Sequence, residues 1–311
     1  MNCAKFNRLF LTLILSGLTL SVALAFARVG SADNDVLLRY QIEKINVLSR
    51  DRSKLDFAVL GDSSAGNGLS ATVLKNLSQM KVENFALTGS YGLAGDLYLM
   101  KRLHQQLGVD RFVIIHTPDI WYRNLEKAAI LKLMPIGDLA EYNDLIGGNA
   151  HLEFFKFLVN PHRLIELIKP FYNSQLKSLD EADFLPQGIQ TFANRGKHLE
   201  TPMKWRSPSW HKREELRMLS DYCVNQRLMC VLMVGPVYED AYLELPSQIR
   251  DFFADQKLAS DYFHIDVSVH SFPAAWMGDT IDHVDLSKKS ETTKAYWKHI
   301  AQYIWSCTNN C

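Results

Sequence analysis

FAVLGDSSAGNGLS, residues 57–70, is the stretch of sequence that decides the fold. Four apolar residues lead into Gly-Asp-Ser-Ser and then into small residues spaced by glycines. This pattern predicts a buried strand that turns directly into a helix. A phosphate-binding loop is excluded, because Asn67-Gly68 replaces the Lys-Ser/Thr pair that such a loop requires. Two interpretations stay open: a serine that caps the following helix, and a serine nucleophile at the end of the strand.

Strands and helices alternate along most of the chain. Further apolar strands are predicted at residues 82–89, 111–117, 228–235 and 262–268, with helical segments between them. The alternation predicts an α/β fold, namely a flavodoxin-like three-layer α/β/α sandwich with about five parallel strands. The rhythm breaks over residues 118–210, which contain helical segments and no clear strand. We expect residues 31–311 to form a single domain, with 118–210 as a mainly helical insertion or cap.

The charge balance excludes one class of partner. The 311 residues contain 34 basic and 34 acidic side chains, and no run of Lys and Arg stands out. We therefore expect no binding of nucleic acid. We also expect no metal or organic cofactor.

The N-terminus resembles a targeting segment. Lys5 and Arg8 precede an uncharged apolar run at residues 9–27. Residues 1–30 are predicted to be either a cleaved signal peptide or an uncleaved signal-anchor that holds the chain to a membrane. In both cases the remaining chain is expected outside the cytosol, in the periplasm or cell envelope of a bacterium.

Four cysteines follow the targeting segment: Cys223, Cys230, Cys307 and Cys311. An even number in an oxidising compartment allows three disulfide pairings, of which Cys223–Cys230 with Cys307–Cys311 is the local one. A four-cysteine zinc site is the alternative, although the spacing does not form two C-x2-C knuckles.

The first strand places Asp62, Ser63 and Ser64 at a functional edge, because ligands of such sheets bind beyond the carboxyl ends of the strands. A serine nucleophile needs a base within hydrogen-bond reach and donors for the developing oxyanion. His116, at the end of the third strand, is a weak candidate for that base.

Three motifs together resemble the SGNH (GDSL-type) hydrolases. VLGDSS at 59–64 resembles the first block of that family, NFALTGS at 84–90 the second, and GDTIDHVDLSKKS at 278–290 the last. The resemblance implies a flavodoxin-like sandwich with Ser63 as nucleophile and Ser63 and Gly89 as backbone oxyanion donors. It also implies His283 as base, oriented by Asp282 or Asp279. The nearest relatives implied are the membrane-anchored or periplasmic SGNH-like proteins of polysaccharide O-acylation, such as the alginate acetylation and D-alanyl transfer proteins.

The chain departs from that pattern in two places. Asp119 stands where the family has an asparagine that completes the oxyanion hole, so its carboxylate must be protonated, turned away or not equivalent. The family's acid also lies three residues before its histidine, whereas position 280 here is Thr, with Asp279 before it and Asp282 after it. A second alignment would put Asp285 in the histidine position. In the favoured alignment, Asp285 caps the final helix.

Asp119, Trp121 and Arg123 are weaker candidates for substrate binding. Trp121 could stack on a sugar ring and Arg123 could bind a carboxylate, but Trp121 packing beneath the insertion is the alternative. The function expected is a serine esterase or O-acyltransferase acting on O-acyl groups, with O-acetyl preferred. Its substrate would be a glycan or an acylated small molecule, and other proteins of an acylation complex are expected partners. The alternative is a non-catalytic SGNH-like glycan-binding or scaffold protein.

Overall fold

Five parallel strands form the central sheet of the computed structural model. They are β1 (Phe57–Gly61), β2 (Val82–Asn84), β3 (Arg111–His116), β4 (Met229–Val234) and β6 (Phe263–Asp266). Their spatial order is β2-β1-β3-β4-β6, which is the flavodoxin-like order for five consecutive strands. The predicted fold class is therefore confirmed.

Helices cover both faces of this sheet, which makes the fold a three-layer α/β/α sandwich. The helices are α1 (Val36–Arg50), α2 (Ser63–Gly68), α3 (Ala71–Ser78), α4 (Gly92–Leu107), α6 (Trp210–Gln226) and α7 (Lys289–Ser306). A further helix, α5 (Ala150–Val159), belongs to a separate compact unit of the chain. Helix α3 packs against α7, and α4 packs against α6.

Strands β1 and β4 are apolar and buried along their whole length, because both sheet faces are covered. Side chains of a strand alternate between faces, so Val59, Val113 and Val231 share a cluster with α3 and α7. The intervening residues, such as Phe112 and Cys230, are fully buried as well. A run without polar alternation is thus what a strand inside a parallel sheet requires.

A disulfide joins Cys223, near the end of α6, to Cys230 in β4, with their Cα atoms 6.3 Å apart. This pairing was one of the alternatives from the sequence, and it removes both sulfurs from any four-cysteine zinc site. Within the described ranges, no group of three or more His, Cys, Asp and Glu side chains is arranged to hold a metal ion. Cys307 and Cys311 lie outside the described residues.

A second, two-stranded sheet was not predicted. Strand β5 (Val237–Tyr238) pairs in parallel with β7 (Ser271–Phe272). Two-residue strands are too short to produce a recognisable periodicity in sequence. This small sheet leads into the segment that contains His283.

The structure describes residues 36–121, 149–159, 210–240, 260–278 and 280–306, with residues 12, 16, 123, 126, 129–131, 140, 143 and 251. The predicted targeting segment, apart from residues 12 and 16, and most of the predicted insertion lie outside this set. No helix within these ranges is long and apolar enough to cross a membrane. The chain divides into two compact units, Met1–Tyr40 with Glu126–Lys177, and Gln41–Leu125 with Ser178–Cys311. All the candidate site residues belong to the second unit.

Candidate active site

Gly61 makes the turn that delivers Ser63 to the edge of the sheet. Its φ of +135° is a conformation that residues with a side chain rarely adopt. A Cβ atom at this position would lie 1.9 Å from the carbonyl oxygen of Ile115 in the neighbouring strand. The chain therefore crosses directly over the end of β3, and only glycine fits there.

Asp62 holds the turn together. Its side chain is 1% exposed and accepts hydrogen bonds from the backbone N–H and hydroxyl of Ser64, at 2.9 and 2.6 Å. The backbone N–H and hydroxyl of Thr117 lie 2.9 Å from its other oxygen. Burial would raise the pKa of Asp62, but His116, Ser64 and Thr117 together hold it well below its ordinary value. Asp62 is thus an ionised cap of α2, and the serine that it contacts is Ser64.

Ser63 is the first residue of α2 and contacts His283. The Oγ atom of Ser63 lies 2.8 Å from Nε2 of His283, although the two residues are 220 positions apart in sequence. Both residues are half-buried, so each retains surface that a ligand could reach. The geometry is that of a hydroxyl beside its base, while the catalytic role of the pair stays a prediction.

Short contacts fix the segment around His283. Its carbonyl oxygen accepts a hydrogen bond from the N–H of Gly278 at 2.7 Å, and its own N–H donates to Oγ1 of Thr280 at 3.1 Å. Asp285 accepts hydrogen bonds from the N–H and hydroxyl of Ser287, at 2.9 and 2.7 Å. Asp285 therefore caps the turn that leads into α7, as the favoured alignment predicted.

The acid that would orient His283 is not decided by these contacts. Asp282 is half-buried and accepts a hydrogen bond from Oγ1 of Thr280. Burial raises the pKa of Asp282, and the neighbouring His283 and Thr280 lower it in part. Asp279 lies outside the described residues. The role of either aspartate stays a prediction.

Gly89 begins a 3-10 turn, Gly89–Tyr91, just beyond β2. The N–H of Leu87 donates to the carbonyl oxygen of Gly61 at 2.8 Å, so this segment runs beside the turn that holds Ser63. A Cβ atom on Gly89 would lie 2.5 Å from Nη1 of Arg123. Gly89 as an oxyanion donor stays a prediction.

Asp119 is not an isolated carboxylate. One of its oxygens contacts Oγ1 of Thr117 at 2.5 Å, and the other accepts from Nε and Nη2 of Arg123 at 2.6 and 2.5 Å. Burial lowers the pKa of Arg123, but Asp119 more than offsets this and raises it. Asp119 and Arg123 thus form a charged pair at the end of β3.

Trp121 belongs to the 3-10 turn Pro118–Trp121 and is 2% exposed. A side chain so deeply buried offers almost no face on which a sugar ring could stack. The position of Trp121 favours the packing alternative.

His116 belongs to a buried charge cluster that the sequence did not reveal in full. Its Nε2 atom contacts Oδ2 of Asp96, and its Nδ1 lies 3.4 Å from Oδ2 of Asp62. Burial would lower the pKa of His116, but the charges of Asp96 and Asp62 raise it to about 10. A histidine that stays protonated at neutral pH cannot act as a general base, which leaves His283 as the better candidate.

Asp96 is the residue of this cluster that sequence reasoning missed. It lies on α4 three residues after Leu93 and four before Met100, both of which are buried. An acid on the apolar face of a helix was the signal that could have found it, because buried charges are almost always paired.

Compared with known proteins, the chain matches no family model and no curated protein. The resemblance to SGNH hydrolases therefore rests on the motifs and remains an interpretation.

Proposed function

We propose that the protein is an extracytoplasmic SGNH-like serine esterase or O-acyltransferase. It would act on O-acyl groups, with O-acetyl the expected group and a glycan or an acylated small molecule as the substrate. The observation that supports this most is the 2.8 Å contact between Ser63 Oγ and His283 Nε2. A hydroxyl and an imidazole placed together at the carboxyl edge of a parallel sheet suit nucleophilic catalysis.

The proposed reaction begins when Ser63 Oγ attacks the carbonyl carbon of the ester and His283 Nε2 accepts the hydroxyl proton. The electron pair of the carbonyl bond moves to its oxygen, which then accepts hydrogen bonds from the N–H groups of Gly89 and Ser63. The tetrahedral intermediate collapses, the ester C–O bond breaks, and the departing alcohol oxygen takes the proton from His283. The acyl group is left on Ser63.

The acyl-enzyme is resolved by a second attack. Water or a sugar hydroxyl gives its proton to His283 and adds to the acyl carbon, and Ser63 leaves with that proton. Water yields hydrolysis and a sugar hydroxyl yields acyl transfer. A turnover rate that rises with the concentration of a glycan acceptor would distinguish transfer from hydrolysis.

Two observations support a location outside the cytosol. The Cys223–Cys230 disulfide suits an oxidising compartment. Lys5 and Arg8 before an apolar run suit export, with membrane attachment through residues 1–30 if they are not cleaved. Other acylation proteins remain proposed partners.

Labelling of the purified full-length chain with a fluorophosphonate probe tests the proposal. Ser63 Oγ would displace fluoride from the phosphorus while His283 takes the hydroxyl proton. We expect labelling of the wild type, no labelling of Ser63→Ala and severely reduced labelling of His283→Ala. His151→Ala, an exposed histidine on α5, is the matched control and should label like the wild type.

Labelling that is lost in Ser63→Ala but kept in His283→Ala would show that another base activates the serine. A folded wild type that is not labelled would contradict the enzyme and favour the alternative of a glycan-binding or scaffold protein.

A further inference from the structure

The third donor of the oxyanion hole is the open question at this site. An oxyanion on the attacked carbonyl is stabilised by donors aimed at it from fixed positions. The proposed function supplies the backbone N–H groups of Ser63 and Gly89. The position after β3 that would supply a third donor holds Asp119, and a free carboxylate there would repel the oxyanion.

The contacts of Asp119 remove that difficulty. Oδ1 contacts Thr117, and Oδ2 accepts from two nitrogens of Arg123. The negative charge is therefore balanced by a guanidinium four residues along the chain. A carboxylate held in this way anchors a cation at the edge of the sheet.

The third nitrogen of that guanidinium lies beside Gly89. Nε and Nη2 of Arg123 face Asp119, while Nη1 lies where a Cβ atom of Gly89 would approach it to 2.5 Å. Guanidinium is a rigid planar fork, so fixing two of its nitrogens also fixes the third. Within the part of the chain that the structure describes, Nη1 donates to no acceptor. The Arg123 side chain is 47% exposed, so a ligand can reach it.

Arg123 also lies near the other parts of the site. Its charge interacts with Asp62, which precedes Ser63, and with Asp282, which precedes His283. The guanidinium therefore belongs to the same cluster of side chains as the serine and its base. The missing glycine side chain at position 89 leaves the space in which Nη1 lies.

We propose that Arg123 is the third oxyanion donor, contacting the oxyanion through Nη1 in place of an asparagine, and that Asp119 is its positioning residue. This inference rests on the proposed function. The reacting carbonyl oxygen would then have a cationic donor beside the two backbone N–H groups. The carboxylate of Asp119 would hold that donor in position.

The test is the rate of fluorophosphonate labelling of the full-length chain, separated into the maximal rate and the half-saturating probe concentration. Arg123→Ala is expected to lower the maximal rate by about 100-fold with little change in half-saturation, which is the size found for removal of one oxyanion donor. Arg123→Lys keeps the charge but not the fork, and should fall between the wild type and Arg123→Ala. Asp119→Asn should lower the rate by a smaller factor, because Arg123 is then held less firmly.

Arg217→Ala is the matched control. Arg217 is an exposed arginine on α6 that pairs with acids three residues before it and four after it, as Arg123 pairs with an acid four before it. Its labelling rate should equal that of the wild type. Free guanidinium, added at concentrations that leave the melting temperature unchanged, should restore part of the rate of Arg123→Ala and none of that of Ser63→Ala.

The outcomes separate the two proposals. If the wild type is labelled at Ser63 and a folded Arg123→Ala is labelled equally fast, the role of Arg123 is wrong and the proposed function stands. If Arg123→Ala changes only the half-saturating concentration, Arg123 binds the ligand and is not an oxyanion donor. If the folded wild type is not labelled, the proposed function fails and this inference fails with it.

Discussion

Replacing His116 by Gln tests whether the buried cluster of Asp96, His116 and Asp62 is ionised in the folded protein. All three side chains are 1% exposed. Burial alone would lower the pKa of His116, but Asp96 and Asp62 raise it from 6.5 to about 10. Between these values the folded chain keeps a proton that the unfolded chain has released.

The difference between the folded and unfolded pKa of His116 determines how its contribution to stability changes with pH. A group whose pKa is raised by folding contributes stability that is fully present below pH 6.5 and is lost as the pH rises towards about 10. The rise in pKa corresponds to about 5 kcal/mol in total, at about 1.4 kcal/mol for each pH unit. As the pH rises through this range, the contribution of His116 to the free energy of unfolding should therefore fall by about 1.4 kcal/mol per pH unit. Glutamine does not titrate, so His116→Gln lacks this contribution.

Urea unfolding of the wild type and His116→Gln, followed by tryptophan fluorescence from about pH 6 to about pH 9, measures the difference directly. The two proteins share the titrating groups outside this cluster, so the contributions of those groups cancel. Near pH 6 the substitution should cost about 3–5 kcal/mol, because it leaves two buried carboxylates without their cation. The cost should shrink by about 1.4 kcal/mol per pH unit above pH 6.5.

Asp96→Asn provides a second test of the same cluster. Among the groups that raise the pKa of His116, the charge of Asp96 has the largest effect, and this substitution removes it. The pH dependence of stability should therefore weaken in this variant too. A cost of His116→Gln that is the same at about pH 6 and about pH 9 would refute the buried imidazolium, since a neutral His116 would give no slope.

Two substitutions test the fold itself. Gly61→Ala should destabilise the protein by more than about 3 kcal/mol, since the new Cβ would meet the backbone of Ile115. Gly108→Ala, at a positive φ with open space around it, should cost only about 1–2 kcal/mol. If Gly61→Ala and Gly108→Ala had equal melting temperatures, the steric argument would be contradicted. Replacing Cys223 and Cys230 together by alanine should cost about 2–3 kcal/mol by chain entropy. Urea unfolding would check this, and an unchanged midpoint would argue against the disulfide.

The sequence was sufficient to predict the parallel sheet. Strands β1 and β4 are apolar throughout because both faces are covered, and that pattern is visible without a structure. His283 was a candidate because its segment resembles the last SGNH block, and the structure places its Nε2 atom 2.8 Å from Ser63 Oγ. Neither result needed the exact bounds of the helices.

The charged partners could not be predicted in the same way. Asp96 and His116 lie on different elements, and only their packing shows that one neutralises the other. Asp119 and Arg123 have the spacing of a helical ion pair, yet the turn that contains Asp119, Pro118–Trp121, is a 3-10 turn too short to show helical periodicity. Whether a carboxylate faces a guanidinium or an oxyanion depends on side-chain direction, which residue types alone do not determine.

Thr117 connects the buried cluster to the surface of the site. Its hydroxyl lies 2.9 Å from Oδ2 of Asp62 and 2.5 Å from Oδ1 of Asp119, but a hydroxyl has a single proton to donate. The two carboxylates therefore share this one donor, and each also has a cation beside it. The buried His116 pairs with Asp62, and the partly exposed Arg123 pairs with Asp119. Because Arg123 balances the charge of Asp119, a carboxylate after β3 is compatible with the proposed anion stabilisation at Ser63: it holds the guanidinium in place.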